Sequence, residues 1–260
     1  MSLMFQVIAS GSKGNSILIS SPRTHILLDA GLSAKELVHR LEKTSVSARQ
    51  LDAVVVSHEH TDHVRGVGVL SRRFELVVHL SQGSLEGLDP QIGRLAGHRV
   101  FQPGRAFDIG DLRLHPFPIS HDAREPSGFV VEHAGVKLGI CTDLGIVTEL
   151  VKTRLQGCSG LVIEANHDPD LLINGPYPWH LKQRIRSRHG HLSNFDSLEL
   201  LKCLYNECLR SVVFAHLSET NNHPELVLEN SRDLVNNPRW EKVRFQVGKQ
   251  HDVTPPVELM

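Results

Sequence analysis

Residues 57–63 read Ser-His-Glu-His-Thr-Asp-His, directly after the apolar run Ala53-Val54-Val55-Val56. His58, His60 and Asp62 fall on alternate positions, so in an extended segment they share one side of the chain, while His63 turns to the other. Three imidazoles and a carboxylate packed this closely are borderline nitrogen and oxygen donors, the set preferred by zinc and similar divalent ions. The spacing predicts a metal site at the end of a buried strand. A merely solvated loop rarely gathers four potential ligands at such a spacing.

Further candidates follow the same design. His121 stands in Pro118-Ile119-Ser120-His121-Asp122, Asp143 in Gly139-Ile140-Cys141-Thr142-Asp143, and His216 in Val212-Val213-Phe214-Ala215-His216. Each alone reads as an ordinary structural residue. Three polar ligands, each at the end of an apolar strand, read together as one site, because ligands in sheet proteins collect where strands end on one edge. Asp29, in Leu27-Leu28-Asp29-Ala30-Gly31, is either the partner of a metal-ligating histidine or a turn residue satisfying backbone N–H groups. His167, Asp168 and His223 read as surface loop residues.

The elements that must position these groups are short. Residues 5–9, 16–20 and 25–28 form a meander of strands. The Gly11-Ser12-Lys13-Gly14-Asn15-Ser16 turn reads as a Gly-rich hairpin in preference to an anion cradle. Ser33 and Glu36 predict a capping box for a helix carrying Leu37, Val38 and Leu41 on one face. Helical patterns follow at 64–73, 147–155, 180–188, 195–209 and 224–235, and strand patterns at 76–80, 112–114, 129–131, 136–140, 161–163 and 212–214. Strands and helices mix without strict alternation, which predicts an α/β protein of two sheets covered by helices. One domain is expected over 4–260. Met1-Ser2-Leu3, ahead of a second methionine, reads as a cloning remnant outside the fold.

Composition narrows the class. The chain has 260 residues, 40% hydrophobic and 22% charged, with a formal net charge of −1, so no global basic field advertises nucleic acid. Its 17 histidines outnumber Phe and Tyr combined, an excess that suits a metalloenzyme. Cys141, Cys158, Cys203 and Cys208 contain no CxxC pair, and the spacing of the last two in a helical stretch puts them on different faces. A reducing cytoplasm is the expected location, with no membrane span and no leader peptide.

With His58-x-His60-x-Asp62-His63, then His121, Asp143 and His216, the chain resembles the metallo-β-lactamase superfamily of binuclear hydrolases over essentially its whole length. The resemblance implies a four-layer αβ/βα sandwich, two mixed sheets flanked by helices, with the site at one sheet edge. It implies that His58, His60 and His121 hold one ion, that Asp62, His63 and His216 hold a second, and that Asp143 bridges them. Asp29 fits the superfamily's short first motif. Oxidoreductase members carry a carboxylate in place of the second histidine; His60 favours hydrolysis. A narrower resemblance rests on Glu164-Ala165-Asn166-His167-Asp168, on the segment 175–185, on Gly190-His191-Leu192-Ser193-Asn194, and on His216-Leu217-Ser218 with Asn221-Asn222. These are similar to the YycJ/WalJ family, for which a DNA 5′ exonuclease role is implied. Glu164 and His191 also resemble motifs of tRNase Z and of PhnP-type phosphodiesterases, where the extra histidine lies beside the scissile phosphate.

The resulting expectation is a phosphodiesterase using two divalent ions, Zn²⁺ or Mn²⁺ ahead of Mg²⁺, in which an ion-activated water attacks phosphorus. Asp62 is expected to orient or deprotonate the water, His191 to contact the phosphoryl oxygen or protonate the leaving oxygen, and Glu164 to hold His191 in one tautomer. Lys182, Arg184, Arg186 and Arg188, with Tyr177 and Trp179 upstream, form a candidate DNA-binding patch beside His191. Two rival readings are a small-molecule hydrolase acting on a cyclic phosphodiester, thioester or lactone, and a non-catalytic regulatory protein on the same fold.

Overall fold

The computed structural model describes residues 2–260. The chain begins with β1 (Leu3–Ala9), β2 (Ser16–Ser20) and β3 (His25–Leu28), paired antiparallel in order. Then come α1 (Ala34–Leu41), β4 (Ala53–Val55), α2 (Thr61–Val64), α3 (Val67–Phe74), β5 (Val77–Ser81), α4 (Gln82–Gly87) and β6 (Gly97–Phe101). From β3 to β6 the pairing is parallel. The second half repeats the plan. β7 (Phe107–Ile109), β8 (Leu112–Pro118), β9 (Ser127–His133) and β10 (Val136–Cys141) form an antiparallel meander. α5 (Glu149–Leu155), β11 (Gly160–Glu164), α6 (Pro169–Asn174), α7 (Trp179–Ile185), α8 (Asn194–Leu204), β12 (Ser211–Ala215), α9 (Pro224–Asn230), α10 (Arg232–Val235) and β13 (Arg244–Val247) continue it, with β10 to β13 parallel. Finally β14 (Val257–Leu259) returns to the first sheet beside β1.

Each sheet has seven strands, in the orders β14-β1-β2-β3-β4-β5-β6 and β13-β12-β11-β10-β9-β8-β7. The central strands are apolar on both faces because each face meets a core. Ile26, Leu28, Val55, Val162 and Val213 point between the sheets and pack with Phe129 and Val131. Their neighbours point outward: Leu27 and Val54 onto α1 and α3 through Leu37 and Leu70, and Leu161 and Ile163 onto α5 and α8 through Leu155 and Leu201. Sheet, sheet and two helical layers make the expected αβ/βα sandwich. Full burial of such side chains contributes roughly 1.5–3 kcal/mol each. Among the described residues no helix is long and apolar enough to cross a membrane.

Several local expectations change. Leu3, set outside the fold by the sequence reading, is buried in β1 opposite Leu259. Ser33 caps α1 through Glu36 N–H, but the Glu36 carboxylate turns to Arg40 at 2.7 Å, so the reciprocal half of the box is not formed. The helix expected over 64–73 breaks into α2 and α3 at Gly66, whose N–H donates to Ala30 O at 2.8 Å. The pattern at 195–209 stops at Leu204, and Cys208 lies beyond it on a turn where its N–H donates to Asn206. Strands β6 and β7 had no sequence signal: they are the sheet edges on one side, and exposed His98, Arg99, Val100 and Asp108 mask their periodicity.

Candidate active site

The parallel strands of both sheets deliver their ends to one edge. Asp29 follows β3, Ser57 and His58 follow β4, Asp143 follows β10, Glu164 ends β11 and His216 follows β12, with His121 in the loop after β8. Asp29, Asp143 and His216 all have left-handed backbones, at φ 61°, 57° and 56°. For residues with a Cβ this costs of order 1–3 kcal/mol each, and such strain concentrates at functional sites. The surroundings hold each turn in place: Asp29 N–H donates to Val55 O at 2.7 Å and His216 N–H to Ser10 Oγ at 2.6 Å. Gly31 lets the 58–63 segment approach, since a Cβ there would lie 1.6 Å from Asp62 O.

The predicted ligands converge. His58, His60 and His121 form one donor group, and Asp62, His63 and His216 another. His60 Nδ1 lies 3.3 Å from His121 Nε2. His63 Nε2 is 3.6 Å from Asp62 Oδ2 and 3.3 Å from Asp143 Oδ2, and His216 Nε2 is 3.6 Å and 3.4 Å from Asp62 Oδ2 and Asp143 Oδ1. Asp143 Oδ1 is also 3.8 Å from His121 Nε2, so this carboxylate stands between the two groups. Donors that share an ion at about 2.0–2.2 Å sit at such separations. His58 Nε2, His216 Nε2 and Asp143 Oδ2 are buried without a hydrogen-bond partner. Orphaned buried donors of this chemistry, aimed at one another, fit divalent cations.

A ring of outer partners orients these side chains. Asp29 Oδ2 accepts from His63 Nδ1 at 2.8 Å, while its two oxygens also accept from Ser57 N–H and Ser57 Oγ, both at 2.8 Å. Asp29 fills both roles open to it: it partners His63 and it satisfies the backbone N–H of Ser57. Glu164 is fully buried, and its Oε1 accepts from His191 Nδ1 at 2.8 Å and from His216 Nδ1 at 2.9 Å. Oε2 takes the N–H groups of Leu144 and Leu192, so this carboxylate also ties the Asp143 and His191 turns together. His121 Nδ1 faces Gly190 O at 3.3 Å. In each case the outer contact uses Nδ1 and leaves Nε2 for the centre.

Electrostatics agree with a cation-seeking cluster. Burial pushes His58 well below the ordinary histidine range, aided by His63. Burial opposes charge on His63 and His216 as well, but Asp143 and the neighbouring carboxylates outweigh it and raise both well above that range. Asp143 is held well below the usual carboxylate range against its burial, chiefly by His216 and His63. Glu164 is brought to about 2, its burial overcome by His191 and then His216.

A pocket of about 270 Å³ opens over this centre, lined by the cluster residues His60, Asp62, His121, Asp143, His191 and His216 and by Tyr177, Leu181 and Arg184. The basic patch is not delivered as expected. Lys182 is buried, and its ammonium donates to the carbonyls of Ile173 and Gly175, both at 2.7 Å, so it secures the end of α6 and is not free for substrate. Arg186 and Arg188 are exposed but do not line the pocket; only Arg184 reaches it. Trp179 is exposed and lies outside the lining too. Asp168 caps α6 through the N–H groups of Asp170 and Leu171. His167, expected on the surface, is buried, and burial lowers it to about 4. His223 is exposed beside Glu225.

Three participants had no functional signal. Asn15 Nδ2 lies 3.2 Å from Asp62 Oδ2 and 3.1 Å from His63 Nε2, while its Oδ1 accepts from Gly11 N–H. The hairpin is thus a support for the candidate metal ligands, its Lys13 and Gly14 N–H groups consumed by Gln250 Oε1 and Gly11 O. Ser57 bridges Asp29, His58 and His63. Asp122 pairs with Arg184. The positions adjoining the histidine motifs were the only available hint to Ser57 and Asp122; Asn15 acts across 47 residues of sequence.

Comparisons with known proteins agree with this geometry. Residues 24–217 match the profile of the "Beta-lactamase superfamily domain". The chain is 32% identical over 260 residues to Exodeoxyribonuclease YycJ of Bacillus anthracis, covering 98% of this chain and 97% of that protein. It is 33% identical over 226 residues to Exodeoxyribonuclease WalJ of Streptococcus pneumoniae, covering 85% and 84%. Among solved structures it is similar to the metallo-beta-lactamase fold protein YhfI from Bacillus subtilis, with a TM-score of 0.74 at 16% identity over 98% of this chain and 99% of the other.

Proposed function

The chain belongs to the beta-lactamase superfamily and, within it, to the family of the YycJ and WalJ exodeoxyribonucleases, and on that premise we propose that this hydrolase cleaves phosphodiester bonds of DNA from the 5′ end using two divalent ions. The observation that carries the reading is the placement of His191 and Glu164 against the ligand cluster: His191 is the one imidazole at the centre whose partner is an outer carboxylate and whose side chain remains 18% exposed to the pocket.

His58, His60 and His121 would hold the first ion and Asp62, His63 and His216 the second, with Asp143 between them. Zn²⁺ and Mn²⁺ both suit this nitrogen and oxygen set. When bound, such ions supply Lewis acidity, an acidified water, and a clamp on the attacking and leaving oxygens. The chain does the rest. Asp62 lines the pocket and accepts from Asn15, which fixes its carboxylate to orient the water and receive its proton. Glu164 accepts a hydrogen bond from His191 Nδ1–H, which turns Nε2 to the pocket, where the doubly protonated ring donates its Nε2–H to a phosphoryl or leaving oxygen. The four free cysteines suit a reducing cytoplasm.

The test is purified protein with Zn²⁺, Mn²⁺ or Mg²⁺ on 5′- and 3′-labelled single- and double-stranded DNA and RNA, beside an acyl thioester. Metal-dependent release of nucleotides from DNA 5′ ends is expected. Turnover of the thioester with no nucleic acid cleaved would overturn the assignment.

A further inference from the structure

The polynucleotide reading above leaves open what seats the strand. The segment between α6 and α7 lays Tyr177 over the pocket, and α7 adds Leu181 and Arg184. Among the described residues lining the pocket, Arg184 is the only Lys or Arg. Its Nε and Nη2 both donate to the same oxygen, Asp122 Oδ2, at 2.7 and 2.6 Å. This is a one-oxygen contact, so the guanidinium fork does not meet two acceptors in the parallel geometry it favours. Asp122 Oδ1 instead lies 3.4 Å from His121 Nε2. The pair is largely in water, with the Arg184 side chain 58% exposed and that of Asp122 32%, and such pairs hold weakly.

The charge balance gives the pair a purpose. Asp62, Asp122 and Asp143 all line the pocket. Asp62 and Asp143 stand within the candidate ligand cluster, where bound cations would neutralise them. Asp122 stands outside both donor groups; its Oδ1 lies 3.4 Å from His121 Nε2, and its one Lys or Arg partner is Arg184. An anionic strand entering the pocket meets a guanidinium whose carboxylate partner competes with it, and the two non-bridging oxygens of a phosphodiester match the fork that one carboxylate oxygen does not fill.

We propose that Arg184 seats the backbone phosphate next to the scissile one, that Asp122 holds it at the pocket mouth and yields it to that phosphate, and that Tyr177 offers its ring to the adjoining base. The inference rests on the polynucleotide reading and requires no particular direction of cleavage.

The test is fluorescence anisotropy with the Mn²⁺-loaded protein and a labelled single-stranded phosphorothioate DNA, over a range of salt. Arg184→Gln is expected to weaken binding roughly tenfold and to lower the salt slope by about one. Arg184→Lys, which keeps the charge but not the fork, recovers only part of the affinity. Asp122→Asn acts in the opposite direction and tightens binding severalfold, and Tyr177→Ala weakens it. If the wild type binds DNA and Arg184→Gln binds equally well, the inference falls while the nuclease reading stands. If Asp122→Asn weakens binding as much as Arg184→Gln, the pair is a structural strut and the inference also falls. If the wild-type protein hydrolyses bis-p-nitrophenyl phosphate but binds no oligonucleotide, the polynucleotide reading itself fails.

Discussion

Glu164 and His216 are joined by the same carboxylate oxygen that holds His191: Oε1 lies 2.9 Å from His216 Nδ1 and 2.8 Å from His191 Nδ1. The sequence pairs Glu164 with His191 alone. The structure makes it a shared anchor for a candidate metal ligand and the candidate acid. In Glu164→Gln the NH2 group replaces one acceptor oxygen, so it faces either the two Nδ1 groups or the Leu144 and Leu192 N–H donors, and the negative charge is lost; both functions suffer. Metal affinity is expected to fall about 10–100-fold, read by competition with a chromogenic chelator. A variant that binds metal normally and loses only turnover would confine Glu164 to His191.

His191→Ala separates the two roles from the other side. Its ring contacts Glu164 and faces the pocket; it clusters with Asp143, Glu164 and His216 but belongs to neither donor group around Asp62 or His60. Turnover of a diester should drop by about 10²–10⁴, with bound metal, measured by plasma mass spectrometry, unchanged. Full activity in the variant removes His191 from the chemistry.

Asp29→Ala takes away three contacts, to His63 Nδ1, Ser57 N–H and Ser57 Oγ. The buried Ser57 N–H is left unsatisfied, at about 1–3 kcal/mol, and His63 loses the bond that aims Nε2. Lower thermal stability is expected together with loss of one ion more readily than the other. Wild-type melting and stoichiometry would return Asp29 to the status of a turn residue.

Gly31→Ala tests the approach of the ligand loop. The added methyl meets the Asp62 carbonyl at 1.6 Å, a backbone atom that cannot swing aside, while Gly31 N–H already donates to Asn15 O. Overpacking of this kind typically costs 1–3 kcal/mol or more. The variant is expected to melt earlier and to bind metal poorly even at high concentration. Metal uptake at wild-type affinity would show that the loop has room to move.

His79 carries a pH dependence away from the site. Burial, with help from Arg99, lowers it from 6.5 to about 4, and its ring stacks on Phe107 at 5.3 Å. The folded protein keeps it neutral, so below about 6.5 only the unfolded chain takes the proton. Stability is then lost as pH falls from about 6.5 to about 4, at no more than about 1.4 kcal/mol per pH unit. Urea unfolding of wild type and His79→Phe should show the variant gaining relative to wild type across that window. A difference independent of pH would contradict the buried neutral state.

Much of the protein was legible from residue types. His58-x-His60-x-Asp62-His63 and the strand-end positions of His121, Asp143 and His216 state their chemistry locally, because ligand identity and the alternation of a strand are short-range properties. Apolar runs such as 26–28, 53–56 and 161–163 marked the interior strands, since a strand covered on both faces carries no polar interruption. The edges were not legible, because β6 is half solvent-facing and β7 is brief. Helix ends were blurred wherever a tertiary contact, such as that at Gly66, broke a continuing pattern.

The basic patch shows where the line falls. Residue type and spacing put Lys182, Arg184, Arg186 and Arg188 on one stretch next to His191, and by charge alone they are equivalent. The sequence by itself determined the set of candidate metal donors and two sheets covered by helices, written in donor types and hydrophobic periodicity, while the αβ/βα sandwich followed from the family resemblance. Only the tertiary structure decided that Lys182 ties down α6, that Arg184 alone enters the pocket opposed by Asp122, that Asn15 supports Asp62, and that Glu164 serves two histidines. These are contacts between segments remote in sequence, set by which strand ends meet at the edge of two sheets, and no local pattern encodes that meeting.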